Sequence, residues 1–536
     1  MRNLCLVLIV WAVTSNSIQA AAPKLDLLYP AGGARGATVT VTLSGTFDPW
    51  PVQVWSSRPE LQIKPLDEKG KLSITIPAEC PVGRGWIRVF NAEGASVVRP
   101  FVVGALPEIE EVEPNNELAK AQVVPGISAV VNGKHQANND VDVYSMTLKA
   151  GQTLIADLDA SQSLGSPADP VLQILSPQGF VLDQNDDDQG LDPRLIFTAP
   201  SDGQYLIRTF AFPAATNSSI HFSGGANWIY RLTLTTGGFV DHVLPLVLSR
   251  STASEVQIFG TNLGPDPVKV PVAGLDGERL LISGPQFGNP ISANLVAFPV
   301  LVELEPNAIA QPQVVPVPIG ISGVISASDD IDAFRFSAKK GQSLQIKVLA
   351  RKLGSPIDPV VTLTDLTGKQ LQRLDDQGEN RDPDLTWNPP ADGDYLLRVS
   401  DLHDRGGPRF FYYLSISPPQ PDFHLTVATD NFVIPVDKPL EIPVTIERQA
   451  GFKSELEISV QGLPEGVTAA PVKSAADGDT AKSVKLIVTG NATAFSGPIR
   501  ISATTTADPK INRIAQFPLT EYHSDFDQLW LTVIKK

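Results

Sequence analysis

The feature that most constrains how this chain folds is an internal repeat. Residues 108–236 and 301–417 carry the same landmarks in the same order. The clearest pairs are "AGQTLIADL" with "KGQSLQIKV", "LGSPADPVLQI" with "LGSPIDPVVTL", and "PSDGQYLIR" with "PADGDYLLR". Because so many ordered matches do not arise by chance, the sequence predicts a duplicated domain of about 115–130 residues. We refer to the two repeats as copy 1 and copy 2.

Short alternating segments indicate that the chain is built from β-strands. "TVTVTLSG", "YLIRTFAF" and "YLLRVSD" alternate apolar with polar residues and are bounded by Gly, Pro, Asn or Asp. This period of two is typical of half-buried strands, and the spacing of the segments is typical of sandwiches. We therefore predict an all-β chain, organised as a string of β-sandwich domains.

The length of 536 residues is too great for one hydrophobic core. Flanking segments such as "GATVTVTLSGTF" and "LEIPVTIERQ" predict immunoglobulin-like sandwiches around the copies. The predicted units are a signal peptide (1–20), an immunoglobulin-like domain (23–104), copy 1 (105–237), a short degenerate immunoglobulin-like unit (238–300), copy 2 (301–418) and a C-terminal immunoglobulin-like sandwich (419–536).

The first twenty residues have the pattern of a secretory signal peptide. "MRN" is followed by the apolar core "LCLVLIVWAV" and by the polar "TSNSIQA", with cleavage expected after Ala20. No later stretch approaches eighteen apolar residues, so no membrane span is predicted. We expect a protein that is secreted, in the periplasm or outside the cell, and association with the cell surface remains open.

Charge and cysteine content exclude several classes of function. The net charge is −16 and no run of Lys and Arg exceeds the terminal "KK", which argues against binding to nucleic acid or to an anionic membrane. Cleavage of the signal peptide removes Cys5 and leaves Cys80 without an intramolecular disulfide partner. The context of Cys80 predicts an inert packed thiol. An acidic surface favours solubility and the binding of cations.

The paired landmarks resemble the bacterial pre-peptidase C-terminal domain, which is a β-sandwich often appended to secreted proteases and collagenases. The resemblance rests on the Glu-Pro-Asn turn, on "DVDVY" and "DIDAF", and on "DGQYLIR" and "DGDYLLR". It implies two jelly-roll-type sandwiches. Residues 23–104 look like the transcription-factor-type (IPT/TIG-like) immunoglobulin domain, and the whole arrangement is similar to planctomycete-type multidomain exported proteins.

The repeated turn "VEPNN" and "LEPNA" suggests a calcium site in each copy. The two glutamates of Glu-x-Glu-Pro-Asn lie two residues apart, so an extended chain points them the same way, and Asn adds an amide oxygen. In relatives of the resembled family the turn and the Asp segment bind Ca²⁺ together. By this resemblance the candidate ligands are Glu111, Glu113, Asn115, Asn116, Asn139 and Asp142 in copy 1, and Glu303, Glu305, Asn307, Asp329 and Asp332 in copy 2.

Each copy departs from the family pattern at one position. Asn139 stands where the relatives carry Asp, and Ala308 stands where they carry Asn or Asp. Asp140 and Asp330 are possible substitutes, although strand alternation would point them to the opposite face. The alternative is an acidic, solvated turn in which Pro and Asn only set the backbone. The acidic loops "NDDDQGLDP" and "DDQGENRDP" are read more simply as turns than as further cation sites.

Motifs that carry catalysis are missing from the sequence. It contains no H-E-x-x-H, no G-x-S-x-G and no phosphate-binding Gly-rich loop followed by Lys. His135 is interpreted as a surface-loop histidine, and Trp55, Trp86, Trp228 and Trp530 as core or edge packing. We therefore expect a non-enzymatic exported binding or scaffold protein, with an extracellular matrix, glycan or surface protein as partner. The alternative is an accessory subunit or cryptic hydrolase associated with secreted peptidases or glycan degradation.

Overall fold

The computed structural model describes residues 21–215, 221–251, 255–264, 268–272, 279–284, 287–378, 380–434, 438–490, 495–508 and 510–534. The predicted signal peptide, residues 1–20, lies outside these ranges. The prediction of an all-β string of sandwich domains is confirmed, because the described chain forms paired sheets with a separate hydrophobic core in each of five successive units. Among the described residues, no helix is both long and apolar enough to cross a membrane.

The first unit is a sandwich of a four-stranded sheet ordered β1-β3-β6-β5 and a five-stranded sheet whose main path is β2-β9-β7-β4, with β8 paired to β7. Alternation in the sequence produces its core: Leu72 and Ile74 of β6 point inward, and the residues between them are only half-buried. Its strands are β1 (Lys24–Tyr29), β2 (Gly32–Ala34), β3 (Thr38–Thr46), β4 (Gln53–Ser56), β5 (Gln62–Pro65), β6 (Lys71–Thr75), β7 (Gly83–Asn91), β8 (Gly94–Ala95) and β9 (Arg99–Gly104).

Copy 1 is a sandwich of two five-stranded sheets, with orders β10-β12-β19-β14-β17 and β11-β13-β18-β15-β16. A short helix, α1 (Ser161–Leu164), and a 3₁₀ turn (Leu118–Lys120) lie between strands. The strands are β10 (Glu108–Glu110), β11 (Gln122–Val123), β12 (Ser128–Lys134), β13 (Asp142–Leu148), β14 (Thr153–Asp159), β15 (Ala168–Leu175), β16 (Val181–Asn185), β17 (Arg194–Thr198), β18 (Gly203–Pro213) and β19 (Ile229–Thr235).

The unit between the copies consists, within its described part, of two three-stranded sheets ordered β20-β22-β23 and β21-β25-β24. Its strands are β20 (Phe239–Leu244), β21 (Val247–Ser249), β22 (Glu255–Thr261), β23 (Val268–Pro271), β24 (Arg279–Ile282) and β25 (Ile291–Val296).

Copy 2 repeats the strand orders of copy 1, as β26-β28-β35-β30-β33 and β27-β29-β34-β31-β32. A 3₁₀ turn (Arg351–Leu353) takes the place of α1. The strands are β26 (Val300–Val302), β27 (Gln313–Val314), β28 (Ile319–Val324), β29 (Asp332–Ala338), β30 (Leu344–Leu349), β31 (Pro359–Asp365), β32 (Gln370–Leu374), β33 (Asp384–Trp387), β34 (Gly393–Asp401) and β35 (Phe411–Ser417).

The last unit pairs a sheet ordered β36-β38-β42-β40 with a six-stranded sheet whose main path is β37-β47-β43-β39-β41. A 3₁₀ turn (Thr520–Tyr522) connects the paired strands β45 and β46. Its strands are β36 (Asp422–Thr426), β37 (Asn431–Ile434), β38 (Leu440–Gln449), β39 (Leu456–Gln461), β40 (Val467–Ala469), β41 (Val472–Ser474), β42 (Ser483–Gly490), β43 (Phe495–Thr505), β44 (Asn512–Ile514), β45 (Phe517–Leu519), β46 (Ser524–Phe526) and β47 (Leu529–Val533).

The duplication extends beyond the sequence repeat. The unit before each copy opens with a strand that ends at a cis proline, Pro30 or Pro245. The next strand is short and belongs to the other sheet of the unit, where it pairs in parallel with the last strand of that unit. These pairs are β2 with β9 and β21 with β25. Each copy also uses the same strand, β19 or β35, against its preceding unit, through Ile229 or Phe411. The repeating element is therefore an immunoglobulin-like unit joined to a copy.

The first and last units pack against each other. The guanidinium group of Arg88 forms an ion pair with the Asp430 carboxylate, and both side chains are buried. The rings of Trp86 and Tyr522 meet edge to face, with centroids 5.1 Å apart. The sequence did not predict this closure, because a contact between residues 342 positions apart leaves no local pattern.

The four tryptophans singled out in the sequence have different environments. Trp86 and Trp530 are buried, and Trp55 is half-buried with its ring 5.9 Å from that of Trp530 across the contact between first and last units. Trp228 is half-buried just before β19. Three of these rings therefore serve packing between domains, a role that their sequence context did not indicate.

Candidate metal centres

The Glu-Pro-Asn turn of each copy crosses from one sheet of the sandwich to the other. In copy 1, β10 pairs in parallel with β12, and the backbone N–H of Glu111 still donates to the carbonyl of Asn132 in that sheet. The chain then turns at a cis Glu113–Pro114 bond, and the carbonyl of Asn115 accepts from the N–H of Val143 on β13 in the other sheet. The turn is thereby brought beside Asp142, the first residue of β13.

Tyrosine hydroxyls and amides hold the acidic cluster of copy 1. Oxygen atoms of Glu111, Glu113 and Asp142 lie within 4.8 Å of one another. The hydroxyl of Tyr230 donates to Asp142 Oδ2 at 2.7 Å and lies 3.1 Å from Glu111 Oε1, while the Tyr144 hydroxyl lies 2.9 Å from the same Glu111 oxygen. Three carboxylates therefore converge in one partly dry corner of the sandwich.

Copy 2 reproduces this corner with Glu303, Glu305 and Asp332, whose oxygens also lie within 4.8 Å of one another. The Tyr412 hydroxyl is 2.7 Å from Asp332 Oδ2 and 3.0 Å from Glu303 Oε2. The amide Nδ2 of Asn307 donates to Glu303 at 3.1 Å. In copy 1 the matching contact of Asn115 with Glu111 is 3.2 Å. The two centres thus share their carboxylates, an asparagine and one tyrosine hydroxyl at nearly the same distances, while copy 2 has Phe334 in place of Tyr144.

Each centre contains acceptor oxygens that no protein group satisfies. Asn115 Oδ1 and Asp142 Oδ1 in copy 1 are buried without a hydrogen-bond partner, and so are Asn307 Oδ1 and Asp332 Oδ1 in copy 2. Leaving a buried acceptor unpaired costs about 1–3 kcal/mol, and more for a charged group. Carboxylate and amide oxygens are the ligands that Ca²⁺ prefers. The ligand set of each centre therefore fits one hard divalent cation, which the two unpaired oxygens of that centre would face.

The electrostatics of both centres favour a positive charge between the carboxylates. Burial raises the pKa of Glu303 to about 7, and burial together with the neighbouring Glu303 charge raises the pKa of Asp332 to about 9. In copy 1 burial raises the pKa of Glu111, and burial and then the Glu111 charge raise the pKa of Asp142 well above its usual range. A proton or a cation must therefore compensate each centre at neutral pH.

The remaining candidate ligands lie further out. Asn116 is exposed, and its amide donates to Asp140 Oδ1 at 2.8 Å. Asn139 and Asp329 are exposed and share a left-handed backbone, with φ of 65° and 62°. Asp329 is not among the carboxylates within 4.8 Å in copy 2. The structure thus brings together Glu111, Glu113, Asn115 and Asp142, and equally Glu303, Glu305, Asn307 and Asp332.

Asp140, considered above as a substitute ligand, forms hydrogen bonds that hold the loop before β13. Its carboxylate accepts from the backbone N–H of Gln136 and from the Asn116 amide, so it ties the loop before β13 to the turn. Asp330 accepts from the backbone N–H of Ser326 at 2.7 Å in the same way. Both residues therefore stabilise the loop that presents Asp142 or Asp332.

Sequence reasoning was wrong about His135 and missed the tyrosines. His135 is not a surface residue: it is fully buried, its Nε2 lies 3.7 Å from Asp142 Oδ2, and its ring is tilted against that of Tyr230, with centroids 4.8 Å apart. The loop-like string "NGKHQANND" hid the fact that β12 continues to Lys134. Tyr230 and Tyr412 lie 115 and 105 residues after Asn115 and Asn307, and the only signal that could have found them is the equivalence of the strings "IYRL" and "FYYL".

Comparison with known proteins supports the reading of copy 1. A family model of the bacterial pre-peptidase C-terminal domain matches residues 140–211. A probable subtilase-type serine protease of Deinococcus radiodurans is 32% identical over 133 residues, which make up 23% of this chain and 18% of that protein. The chain therefore spans less than a fifth of the length of that curated relative. The predicted pre-peptidase domain is confirmed for copy 1.

Two solved structures were also matched, both at low identity and low TM-score. The pre-peptidase C-terminal domain of a collagenase from Bacillus anthracis is 19% identical, covering 19% of this chain and 92% of that chain with a TM-score of 0.16. Immunoglobulin domains 1–4 of Sidekick-1 are 11% identical, covering 96% of this chain and 98% of that chain with a TM-score of 0.23.

Proposed function

We propose that this chain is an exported, non-catalytic binding or scaffold protein whose two copies are both pre-peptidase-type domains stabilised by Ca²⁺. The observation that carries the proposal is the pair of unsatisfied buried oxygens in each centre, on Asn115 and Asp142 and on Asn307 and Asp332. A cation at these oxygens replaces the proton that the clustered carboxylates otherwise need. It also ties the turn of one sheet to a strand of the other.

Burial of the acidic residues favours holding an ion over catalysis. Asp142 and Asp332 have no exposed surface, and tyrosine hydroxyls cover them. A carboxylate in such a place cannot reach a polymeric substrate. The identical strand orders of the two copies support the assignment of copy 2 to the same family, and the alternation with immunoglobulin-like units supports a planctomycete-type exported architecture.

Calcium binding is tested on the full chain after dialysis against a chelator. We expect Ca²⁺ to raise the melting temperature and to bind with measurable heat at two sites. Ligand at one hundred times its Kd adds about 2.7 kcal/mol of stability per site. The double variant Asp142→Asn with Asp332→Asn should lose both responses, and Asp202→Asn, at an exposed turn, is the control. Equal melting with Ca²⁺ and chelator in the unmodified chain would reject the calcium sites.

The binding role is tested separately from the metal. The calcium-loaded chain is passed over immobilised matrix polymers, glycans and surface proteins, and a retained fraction that competes with soluble ligand identifies the partner class. Absence of retention on every surface in both calcium and chelator would reject the binding role and leave the calcium sites standing.

A second candidate function rests on the protease relative. The aligned relative is a probable subtilase-type protease, so this chain is alternatively an accessory subunit or a cryptic hydrolase in peptide or glycan degradation. A screen with peptide and glycan substrates separates the two proposals. Turnover that disappears on replacing one acidic pair would favour the second.

A further inference from the structure

Copy 2 has an unusual row of side chains across its second sheet. Arg373 of β32, Thr362 of β31 and Arg398 of β34 are direct cross-strand neighbours. Side chains in such a row stand on the same face of the sheet, about 4.5–5.5 Å apart at Cβ. Two guanidinium groups therefore flank a short threonine, an arrangement in which like charges repel unless something lies between them.

Copy 1 fills the same row with a closed hydrogen-bond chain. Its residues are Gln184, Gln173 and Arg208, in the same register. Arg208 donates through Nε and Nη2 to Gln173 Oε1 at 2.8 and 2.5 Å, and Gln173 Nε2 donates to Gln184 Oε1 at 2.5 Å. The protein itself therefore supplies the acceptor for the copy 1 guanidinium.

Copy 2 lacks that acceptor. Thr362 replaces the glutamine, and Arg398 Nε is buried with no hydrogen-bond partner. Within the described chain no carboxylate forms an ion pair with Arg398, and Arg373 contacts only the half-exposed Asp375, at 3.3 Å. An exposed pair of this kind contributes about 0–1 kcal/mol, so a better acceptor displaces it easily.

A pocket lies beside the unpaired Nε of Arg398. A pocket of about 200 Å³ is lined by Thr362, Arg373, Arg398 and Ser400. In copy 1 the position of Ser400 is held by Phe210, which faces Val171 in the register where Ser400 faces Val360. Phe210 stacks on Phe222 at 4.2 Å. With Thr362 and Ser400 in place of the glutamine and phenylalanine of copy 1, copy 2 has a cavity beside two guanidinium groups.

Two carboxylates also border the pocket. Asp401 is compensated by Arg405, with contacts of 3.1 and 3.2 Å, and it accepts backbone N–H groups as well. Asp404 is exposed, and its side chain has no ion pair within the described residues. Asp404 is therefore the group that opposes an incoming anion, while the two arginines attract it.

We propose that the Arg373–Arg398 pocket of copy 2 is an oxyanion-binding site. Paired guanidinium groups recognise sulfate, phosphate and carboxylate oxygens through charge-assisted, bidentate hydrogen bonds. The oxyanion is either a free inorganic ion or the sulfate or carboxylate group of an acidic glycan. It takes the acceptor position that Gln173 Oε1 occupies in copy 1. This site is independent of the calcium centres.

The test is calorimetric titration of the full chain at constant ionic strength with three probes: sodium sulfate, a sulfated oligosaccharide, and the same oligosaccharide without sulfate. We expect sulfate or the sulfated sugar to bind, and the neutral sugar not to bind. Binding of sulfate alone assigns a free ion as the ligand. Binding of the sulfated sugar at least about tenfold more tightly assigns a glycan. No binding of either anionic probe overturns the proposal.

Copy 1 supplies the variants that make the test specific. Thr362→Gln installs the acceptor of copy 1 and should reduce anion affinity at least about tenfold without lowering the melting temperature. Arg398→Gln should have the same effect on affinity, and Asp404→Asn should tighten binding severalfold by removing the opposing charge. Arg208→Gln in copy 1 is the matched control and should leave affinity unchanged. Unchanged anion binding in Thr362→Gln would overturn the proposal even if Arg398→Gln failed to fold.

Discussion

The two copies are most alike in their buried carboxylate centres and least alike in their contacts with the preceding immunoglobulin-like units. Tyr230 and Tyr412 lie at the same distance, 2.7 Å, from Asp142 and Asp332. By contrast, copy 1 turns an internal, buried ion pair of Arg231 with Glu108 toward Gly32 and Gly104 of its preceding unit, whereas copy 2 places Tyr413 at the position of Arg231.

This contrast shows which features of the duplicated unit are constrained. The acidic corner keeps its carboxylates, its asparagine and one tyrosine hydroxyl in both copies, although the second hydroxyl, that of Tyr144, is replaced by Phe334 in copy 2. The contact between units needs only complementary surfaces, and charge or aromatic packing serves equally well. In copy 2 that contact stacks His242 between Phe259 and Phe411, with centroid distances of 4.9 and 4.4 Å.

The largest expected effect breaks the charged contact of copy 1. Arg231→Met leaves the carboxylate of Glu108, which is 7% exposed, without its partner. Removing one member of a buried pair costs about 3–5 kcal/mol. The measurement is the urea midpoint of the first transition of the full chain. The double change Arg231→Tyr with Glu108→Val, which copies Tyr413 and Val300, should recover most of the loss; no recovery would show that the two contacts are not interchangeable.

The next effect tests the contact between copy 2 and its preceding unit through its dependence on pH. Burial, and then the charge of Arg409, lower the pKa of His242 from 6.5 to about 4. Between these values the unfolded chain binds a proton that the folded chain does not, so the free energy of unfolding falls as pH drops from 6.5 to 4. The loss reaches at most about 3 kcal/mol. It is measured as unfolding midpoints at pH 7 and pH 4.5.

His242→Phe keeps the ring stack and removes the titrating group. With saturating Ca²⁺, so that Glu303 and Asp332 do not take up protons, we expect the variant to lose the His242 contribution to the pH dependence of the copy 2 transition and to leave the transition of copy 1 as it is. The charged groups near His242, Arg409 with Asp188 and Asp241, remain in the variant. An undiminished pH slope in His242→Phe would assign the effect to those groups instead.

A third prediction compares the calcium affinities of the two centres. Lys134 lies next to the acidic centre of copy 1, where its charge interacts with that of Glu111. Val324 holds the equivalent position in copy 2. We expect Asp142→Asn, which leaves only the copy 2 centre, to bind Ca²⁺ about tenfold more tightly than Asp332→Asn, a difference of about 1.4 kcal/mol. Lys134→Val should tighten the copy 1 centre. Equal affinities by calorimetry would show that Lys134 is screened from the ion.

The smallest effect concerns Tyr413, whose buried hydroxyl has no hydrogen-bond partner. Tyr413→Phe removes an unsatisfied polar atom and keeps the ring. We expect the free energy of unfolding to stay the same or to rise by less than about 1 kcal/mol. Tyr412→Phe, next to it in the chain, removes the hydroxyl that contacts Asp332 and should instead be destabilising in chelator. Comparable destabilisation in both variants, measured by calorimetry, would mean that Tyr413 has a polar partner in solution.

The sequence predicted those features that local patterns encode. Alternation in "TVTVTLSG" and "YLLRVSD" predicted strands, and repetition located both copies, because each signal spans only a few neighbouring residues. The Glu-Pro-Asn turn identified most of the acidic corner for the same reason. Asn139 and Asp329 were named as ligands through the family resemblance, and their exposure was not predictable because loop residues carry no period that reveals where the side chain points.

Features that depend on distant residues were not predictable. Burial of His135 follows from packing against Tyr230, 95 positions further along the chain, and the pocket beside Arg398 depends on which residue stands on two neighbouring strands. The second immunoglobulin-like unit looked degenerate because its identity lies in the cis Pro245 and in the parallel pairing of β21 with β25, neither of which is visible as a sequence repeat.

The contact between Arg88 and Asp430 changes how this chain would respond to proteolysis. A single cut in a loop of either copy yields two fragments. They remain associated through the contact between the first and last units and through the strand pairing of the cut sandwich. Their effective concentration at these contacts is far above that of free pieces. Nicked protein should therefore migrate as one particle on a native gel and separate only in denaturant.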